Sequence, residues 1–291
     1  MTASDHKRAL LIAGPTASGK SALALEKAID LNGVVINADA LQVYAPIRVL
    51  SARPTPEEEA RVPHRLYGHV GAEQPYSVAV WLAQARHEMQ AAWDAGRLPI
   101  ITGGTGLYFR ALELGLAPVP EIPEELRARW RSFTGDLHAE LAARDPAMAA
   151  KLLPSDRQRL SRALEVVDAT GCSLLEWQRQ GLDQAPLAGV AIERIFMDVP
   201  RDELYARAEA RFDAMLEAGA LDEARAMAHL DPMLPAMKAI GLPELVAHLR
   251  GKMTLEEASV RAKTATRNFI KRQLTWWRGQ LPEWRMRAPP P

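Results

Sequence analysis

The run Gly14-Pro15-Thr16-Ala17-Ser18-Gly19-Lys20-Ser21 carries the residue types that bind phosphate. Its glycines let the backbone curl tightly, so that successive N–H groups face one anion. Lys20 brings a full positive charge to an outer phosphate, and the Ser21 hydroxyl is placed to hold Mg²⁺. The apolar run Ala9–Ala13 before it reads as a buried strand, and Ala22–Ile29 after it reads as a helix. That helix adds its positive dipole end to the loop. A Gly-rich turn matching by chance is the bland alternative, but strand, loop and helix in this order form the context a P-loop requires. The ligand implied is a di- or triphosphate; the loop says nothing of which one, or of what is done to it.

Other candidates stand at the ends of apolar runs. Asp39 follows Val34–Asn37, a second buried strand, and the carboxyl end of such strands faces the ligand crevice of an α/β sheet. It suits a general base or a partner of the metal, and equally a turn cap. Gln42, polar among apolar neighbours, reads a base edge or faces water. Leu98–Thr102 is a third strand running into Gly103-Gly104-Thr105-Gly106, where Thr105 offers a hydroxyl to a phosphate or leaving oxygen, or caps a helix. Arg207 and Arg211 lie four apart on one helix face, as a pyrophosphate clamp would, or as partners of Glu203 and Asp213. Arg159 and Arg162 share a face of another helix, there to grip a polyanion or simply to be solvated.

The elements that must position these residues alternate strand–helix–strand–helix–strand, which predicts a parallel, doubly wound sheet. Residues 51–76 read as loop. Ser77 reads as the N-cap of a helix that buries Trp81, Leu82, Ala85, Met89 and Ala92 and ends at Gly96. Near Pro118–Pro123 the texture changes, and from Glu124 to about Gln180 only helical spacing remains. Asp156–Val167 is the clearest segment, with Leu160, Leu164 and Val167 as its buried stripe. Ala191–Asp198 returns as a strand ending in an acid, and Arg201–Glu217 follows as a helix with Leu204, Ala208, Phe212 and Met215 inward. The domain reading is therefore a P-loop core in two parts, 1–118 and 191–291, with a helical insertion at 119–190. From Arg261 to Arg287 there are eight Lys or Arg and one acid, Glu283. Arg267, Lys271 and Arg278 share a basic helix face with Trp276 and Trp277 beside it, and Ala262, Ala265, Phe269, Gln273 and Trp276 share another. Such a face suits nucleic acid, or only solvent.

Bulk properties narrow the class. A chain of 291 residues that is 48% hydrophobic and 25% charged can bury a sizeable core. Zero formal net charge means that a nucleic-acid partner would have to use a local basic surface. One cysteine, Cys172, excludes an internal disulfide and a cysteine-based zinc site. The polar stretch Met1–Arg8 has no signal-peptide core, and no apolar run is long enough to span a bilayer. A soluble cytoplasmic monomer without membrane association is expected, with Ala288–Pro291 as a loose tail.

Taken together, these motifs resemble the tRNA dimethylallyltransferases, the isopentenyl-tRNA transferase family, in the compact bacterial form without a zinc finger. The resemblance rests on Gly14–Ser21, Ile36–Tyr44, Pro63–Leu66, Gly103–Tyr108, Gln158–Val166, Arg211–Leu216, Lys238–Leu245 and Thr266–Trp276, in family order across nearly the whole chain. It implies a P-loop NTPase-like α/β core with a mostly parallel sheet plus an all-helical insertion. It implies transfer of the dimethylallyl group of dimethylallyl diphosphate to N6 of the adenosine just 3′ of the tRNA anticodon, with diphosphate leaving and Mg²⁺ assisting. By position, Gly14, Pro15, Thr16, Ala17, Ser18, Gly19, Lys20 and Ser21 would hold the diphosphate, with Ser21 on the metal. Arg211 would neutralise leaving charge, Thr105 would touch the leaving oxygen, and Asp39 would take the N6 proton. The adenosine would meet Asp39, Ala40, Leu41, Gln42 and Thr105. The anticodon stem-loop would meet Gln158, Arg159, Leu160, Ser161 and Arg162, with Arg127, Lys238, Ala239, Ile240, Gly241, Leu242, Arg267 and Lys271 as further contacts. Two departures are visible: Ala40 stands where many members have Ser, and Leu50-Ser51-Ala52-Arg53-Pro54 where many have Gly-Thr-Ala-Lys-Pro.

Three other readings share some of these features. A P-loop kinase of a small metabolite shares the loop and the acids but leaves the helical insertion and basic C-terminal segment unexplained. A prenyltransferase of free adenine nucleotides would not need the insertion. A non-enzymatic RNA binder would tolerate loss of Asp39.

Overall fold

The computed structural model describes residues 7–179, 185–281, Trp284 and the backbone of Met286 and Arg287. The readings of the first six residues and of the tail Ala288–Pro291 fall outside it. The described chain divides into two units, one formed by residues up to Leu112 and from Leu187 onward, the other by Glu113–Pro186.

The first unit is built on the sheet. β1 (Arg8–Ala13) is followed by α1 (Lys20–Asp30), β2 (Gly33–Asn37), α2 (Pro56–Arg61), β3 (His64–Arg65), α3 (Val78–Asp94), β4 (Leu98–Gly103) and α4 (Gly106–Leu114). All strands pair in parallel. Runs such as Ala9–Ala13 and Val34–Asn37 are buried throughout, as strands covered on both faces must be. One layer packs Leu10, Ile12, Val35 and Ile100 against Leu23, Ala24 and Ala28 of α1. Each of the Leu, Ile and Val side chains among them, removed from water, contributes about 1.5–3 kcal/mol.

The loop reading of residues 51–76 is corrected: this stretch holds both α2 and β3. Thr55 and Glu58 form a reciprocal capping box, and Pro56 opens the helix. These signals stood in the sequence, but α2 buries none of its residues, so no apolar stripe marked it. β3 is two residues long, and its pairing with β2 at Val35 and Ile36 is what defines it.

The second unit is helical: α5 (Glu124–Ser132), α6 (Leu137–Arg144), α7 (Pro146–Ala149), α8 (Arg157–Thr170) and α9 (Leu174–Arg179). Trp130, Leu137, Leu141, Leu160 and Leu164 form its core. Trp130 donates its indole N–H to Asp168 at 3.0 Å, with the Arg129 and Arg144 guanidiniums over its ring. Along α8 the inward residue is Val166 and not the expected Val167, which is half-buried.

The chain then re-enters the first unit with β5 (Ala191–Met197), α10 (Arg201–Glu217), α11 (Ala220–Met227), α12 (Leu242–Leu249), α13 (Leu255–Gln280) and β6 (Met286–Arg287). The sheet order is β3-β2-β4-β1-β5-β6. β1 thus lies between β4 and β5, and the order reverses around it, the place where open α/β sheets bind ligands. Phe212 of α10 joins Leu242 and Leu245 of α12, Ala262 of α13, and Val43, Tyr44, Ile47 and Leu50 in a second apolar layer. Trp277 does not flank a basic face as expected; it is buried among Phe109, Phe196 and Trp284.

Candidate active site

The turns after β1, β2 and β4 converge at the carboxyl end of the sheet. After β1 the loop places Gly19 in the left-handed region (φ 87°) as the N-cap of α1, and Ala17 at φ 65°. Ser18 is interior, and its hydroxyl has no hydrogen-bond partner. A buried, unpaired hydroxyl costs stability unless something polar completes it, so the loop is shaped for an acceptor or an anion. Burial lowers the Lys20 ammonium from its ordinary value to about 8; Asp39 counteracts the shift and Arg211 adds to it. Burial likewise lowers Arg211, and Asp39 opposes it. Two cations and one carboxylate therefore act on each other across one small space.

Asp39 is held by its own turn. Its backbone N–H donates to the Asn37 side-chain oxygen at 2.8 Å, and its Oδ1 accepts from the Leu41 N–H at 2.9 Å. Asn37, fully buried, donates from Nδ2 to the carbonyls of Asp39 and Leu66 at 3.0 Å each. The Trp81 indole N–H caps the Asn37 carbonyl at 2.7 Å, and the Trp81 ring stacks on Tyr108 at 4.2 Å. One Asp39 oxygen thus fixes the carboxylate plane while Oδ2 faces Gly104, where a Cβ would lie 3.6 Å away.

The turn after β4 completes the wall. A Cβ at Gly103 would fall 2.1 Å from the Ala38 carbonyl oxygen, so only glycine lets β2 and β4 leave the sheet this close together. Thr105 Oγ1 accepts from the Ala40 N–H at 3.0 Å, which leaves its own hydrogen to donate. Gln273 of α13 bridges the two glycine turns: Oε1 accepts from the Thr16 N–H and Nε2 donates to the Gly104 carbonyl, both at 3.0 Å.

Beside these polar groups opens a cavity of about 420 Å³. Thr16, Asp39, Thr105 and Arg211 line one part, and Phe212, Met215, Ile240, Phe269 and Trp276 line the rest. Polar and apolar side chains thus line one cavity. Gly106 has no side chain because the Trp276 ring lies where a Cβ would be.

Several expected site residues lie elsewhere or do other work. Arg207 is exposed and pairs with Glu203, so it does not join Arg211 in a clamp; a four-residue step leaves it one turn away. The Gln42 amide nitrogen donates to the Ser51 and Ala52 carbonyls at 2.9 and 2.8 Å, and Leu50 and Ser51 line the cavity. Gln42 therefore fastens a wall segment instead of facing a base or water with that group. The side chains of Leu160, Ala239 and Leu242 are interior and belong to the two cores, and Ser161 is interior with its hydroxyl donating to the Trp130 carbonyl at 3.3 Å. Gln158, Arg159 and Arg162 are exposed, with Arg159 paired to Asp156 and Arg162 to Glu165. Arg127 is half-buried beside Glu124. On α13, Lys271 is exposed, while Arg267 pairs with Glu209 and Lys263 with Asp213 of α10. The acids missing from the C-terminal segment are thus supplied by another helix. The residues that sequence reasoning passed over are Asn37, and Gln273 in its bridging role. Gln273 was legible as a polar residue on a buried helix face; nothing local pointed to its partners.

A family model described as IPP transferase matches residues 42–280, and one described as isopentenyl transferase matches residues 7–70. The chain is 55% identical to the tRNA dimethylallyltransferase of Nitrobacter hamburgensis, covering 97% of this chain and 90% of that one. It is 54% identical to that of Methylobacterium nodulans, covering 97% and 95%. Among solved structures, a eukaryotic dimethylallyltransferase acting on tRNA superposes with a TM-score of 0.81 at 27% identity, covering 93% of this chain and 70% of that one. The full-length tRNA isopentenylpyrophosphate transferase of Bacillus halodurans gives 0.66 at 33% identity, covering 94% and 88%. With the family model spanning most of its length and relatives above half identity over nearly all of it, the chain belongs to the IPP transferase family.

Proposed function

We propose that the protein transfers the dimethylallyl group of dimethylallyl diphosphate to N6 of the adenosine just 3′ of the anticodon of tRNA, releasing diphosphate. The observation that carries this reading is the cavity, lined by Thr16, Asp39, Thr105 and Arg211 together with aromatic and aliphatic side chains, next to the loop that carries Lys20. A kinase site would need room for a base and ribose there; an allylic diphosphate needs a charged end and a greasy one.

The chemistry follows from the placement. N6 of adenine attacks the allylic C1, the C1–O bond to diphosphate breaks, and the N6 proton passes to Asp39 Oδ2. The loop amides, Lys20 and Arg211 stabilise the charge that collects on the leaving diphosphate. Thr105 donates its hydroxyl to the same group. An exocyclic amine is a weak nucleophile, so orientation contributes as much as the base. The target adenosine must leave its stack to reach Asp39.

Magnesium fits the loop. No group of three or more acidic, histidine or cysteine residues able to hold a metal occurs among the described residues. Mg²⁺ at phosphates is held by few protein oxygens, and the exposed Ser21 hydroxyl in the first turn of α1 supplies one. When bound, the ion shares in neutralising the diphosphate. The exposed arginines of α8, with Arg127 and Lys271, are the proposed contacts of the anticodon stem-loop. No helix among the described residues is long and apolar enough to cross a membrane.

The test is transfer of label from dimethylallyl diphosphate to unmodified tRNA in the presence of Mg²⁺, followed by digestion and detection of N6-dimethylallyladenosine. Label in AMP but not in tRNA would move the assignment to a free-nucleotide enzyme. Consumption of the ATP γ-phosphate without transfer to either would make it a kinase.

A further inference from the structure

We infer that Gln273 is a positioning residue that sets the spacing between the diphosphate-binding loop and the wall that carries Asp39. The inference rests on the function proposed above and names a further residue of that site.

Gln273 comes from α13, far in sequence from both turns it joins. Its side chain is nearly fully buried. The orientation of its amide is dictated by its partners: the Thr16 N–H can only donate, so it faces Oε1, and the Gly104 carbonyl can only accept, so it faces Nε2. One amide thereby ties the first turn of the phosphate loop to the second glycine turn. Gly104 is where the parts of the site come closest. A Cβ there would lie 2.5 Å from Gln273 Nε2, 3.5 Å from the Gly14 carbonyl oxygen and 3.6 Å from Asp39 Oδ2. The loop, the base and the bridging amide all border the volume that Gly104 leaves free.

The reaction needs this distance to be constant. The attacking nitrogen, C1 and the leaving oxygen must fall on one line, with the leaving oxygen held by the loop and the nitrogen beside Asp39. The Gln273 amide is a side-chain link between the two turns. A misplacement of an ångström between donor and acceptor is enough to cost about a hundredfold in rate. Gln273 borders the cavity, and its two hydrogen bonds act through Thr16 and Gly104.

Gln273→Met keeps length and removes both hydrogen bonds. Gln273→Glu keeps an acceptor for Thr16 and turns the Gly104 side into two facing acceptors. Single-turnover rates and steady-state constants for both variants are compared with the wild type, along with the affinity for inorganic diphosphate and for unmodified tRNA. Expected for Gln273→Met is a fall in single-turnover rate of about ten- to a hundredfold, with tRNA affinity within about twofold. Diphosphate affinity falls by less than the rate, and exchange of the Thr16 amide hydrogen quickens. Gln273→Glu is expected to be worse in rate and to weaken diphosphate further, by repulsion. A single-turnover rate near wild type in either variant overturns the inference. So does a loss of rate, diphosphate and tRNA binding all in proportion to a loss of folded protein, which a thermal melt and circular dichroism measure. If the wild type itself transfers nothing to tRNA, the function proposed above is wrong; the diphosphate affinities and the Thr16 exchange then still report on the bridge.

Discussion

At the scale of residues, the site is a set of groups whose states depend on each other. Lys20 has its ammonium lowered to about 8 by burial, and a bound diphosphate would restore the charge. The sign is clear: below pH 8 the free protein already carries the proton, while above it binding must recruit one. The dissociation constant for inorganic diphosphate is therefore expected to rise above pH 8, by up to about tenfold per pH unit. Calorimetry between pH 7 and 9.5 checks this, and Lys20→Met should bind weakly with little pH dependence. Asp39 is oriented by Asn37 and Leu41. Asp39→Ala should lower the single-turnover rate by about 10²–10⁴ while leaving tRNA affinity within a few-fold. Equal loss of both in filter binding and rapid quench would make Asp39 a structural residue.

At the scale of elements, the walls are held by distant parts of the chain. Glu223 of α11 accepts from the Val49 and Leu50 N–H groups, and Gln42 donates to Ser51 and Ala52. Two elements thus clamp one cavity wall. Gln42→Ala removes two half-buried hydrogen bonds and should raise the donor KM by about tenfold while moving the tRNA KM far less. The reverse pattern would return Gln42 to base reading. α13 is begun by Thr254, whose hydroxyl accepts from Glu257 N–H while the Glu257 carboxylate accepts from the Thr254 N–H. Thr254→Ala should cost about 1 kcal/mol in chemical denaturation, with the site constants unchanged.

At the scale of the molecule, two units divide the labour. The sheet unit holds the cavity with Asp39, Arg211 and its apolar lining. The helical unit presents Arg159 and Arg162 on the surface of α8. Zero net charge gives no global attraction to RNA, so local arginines must supply it. Arg159→Glu with Arg162→Glu should weaken tRNA binding by tenfold or more, roughly, and lower the salt slope by about two, while leaving inorganic diphosphate affinity unchanged. Binding titrations at several salt concentrations measure both.

The local part of this protein was written in its sequence. A glycine-spaced loop between an apolar run and a helical pattern is a short-range signal, and so are Asp39 and Thr105 at the ends of buried strands. The helix of 78–94 declared itself by period and its Ser77 cap, and those of 201–217 and the C-terminal segment by period alone. Short elements did not: α2 lacks an apolar face, and β3 exists only by its pairing with β2. What the tertiary structure alone decided was which residues meet. The Gln273 amide across Thr16 and Gly104, the Gln42 amide on the 51–52 backbone, and the Glu209 and Asp213 carboxylates on the cations of α13 all join residues without a local signature. The same holds for the interior placing of Ala239 and Leu242 within a motif that resembled a contact surface. Periodicity records how each segment faces its neighbour in the chain; hydrogen bonds between distant segments depend on how the packed layers bring them together.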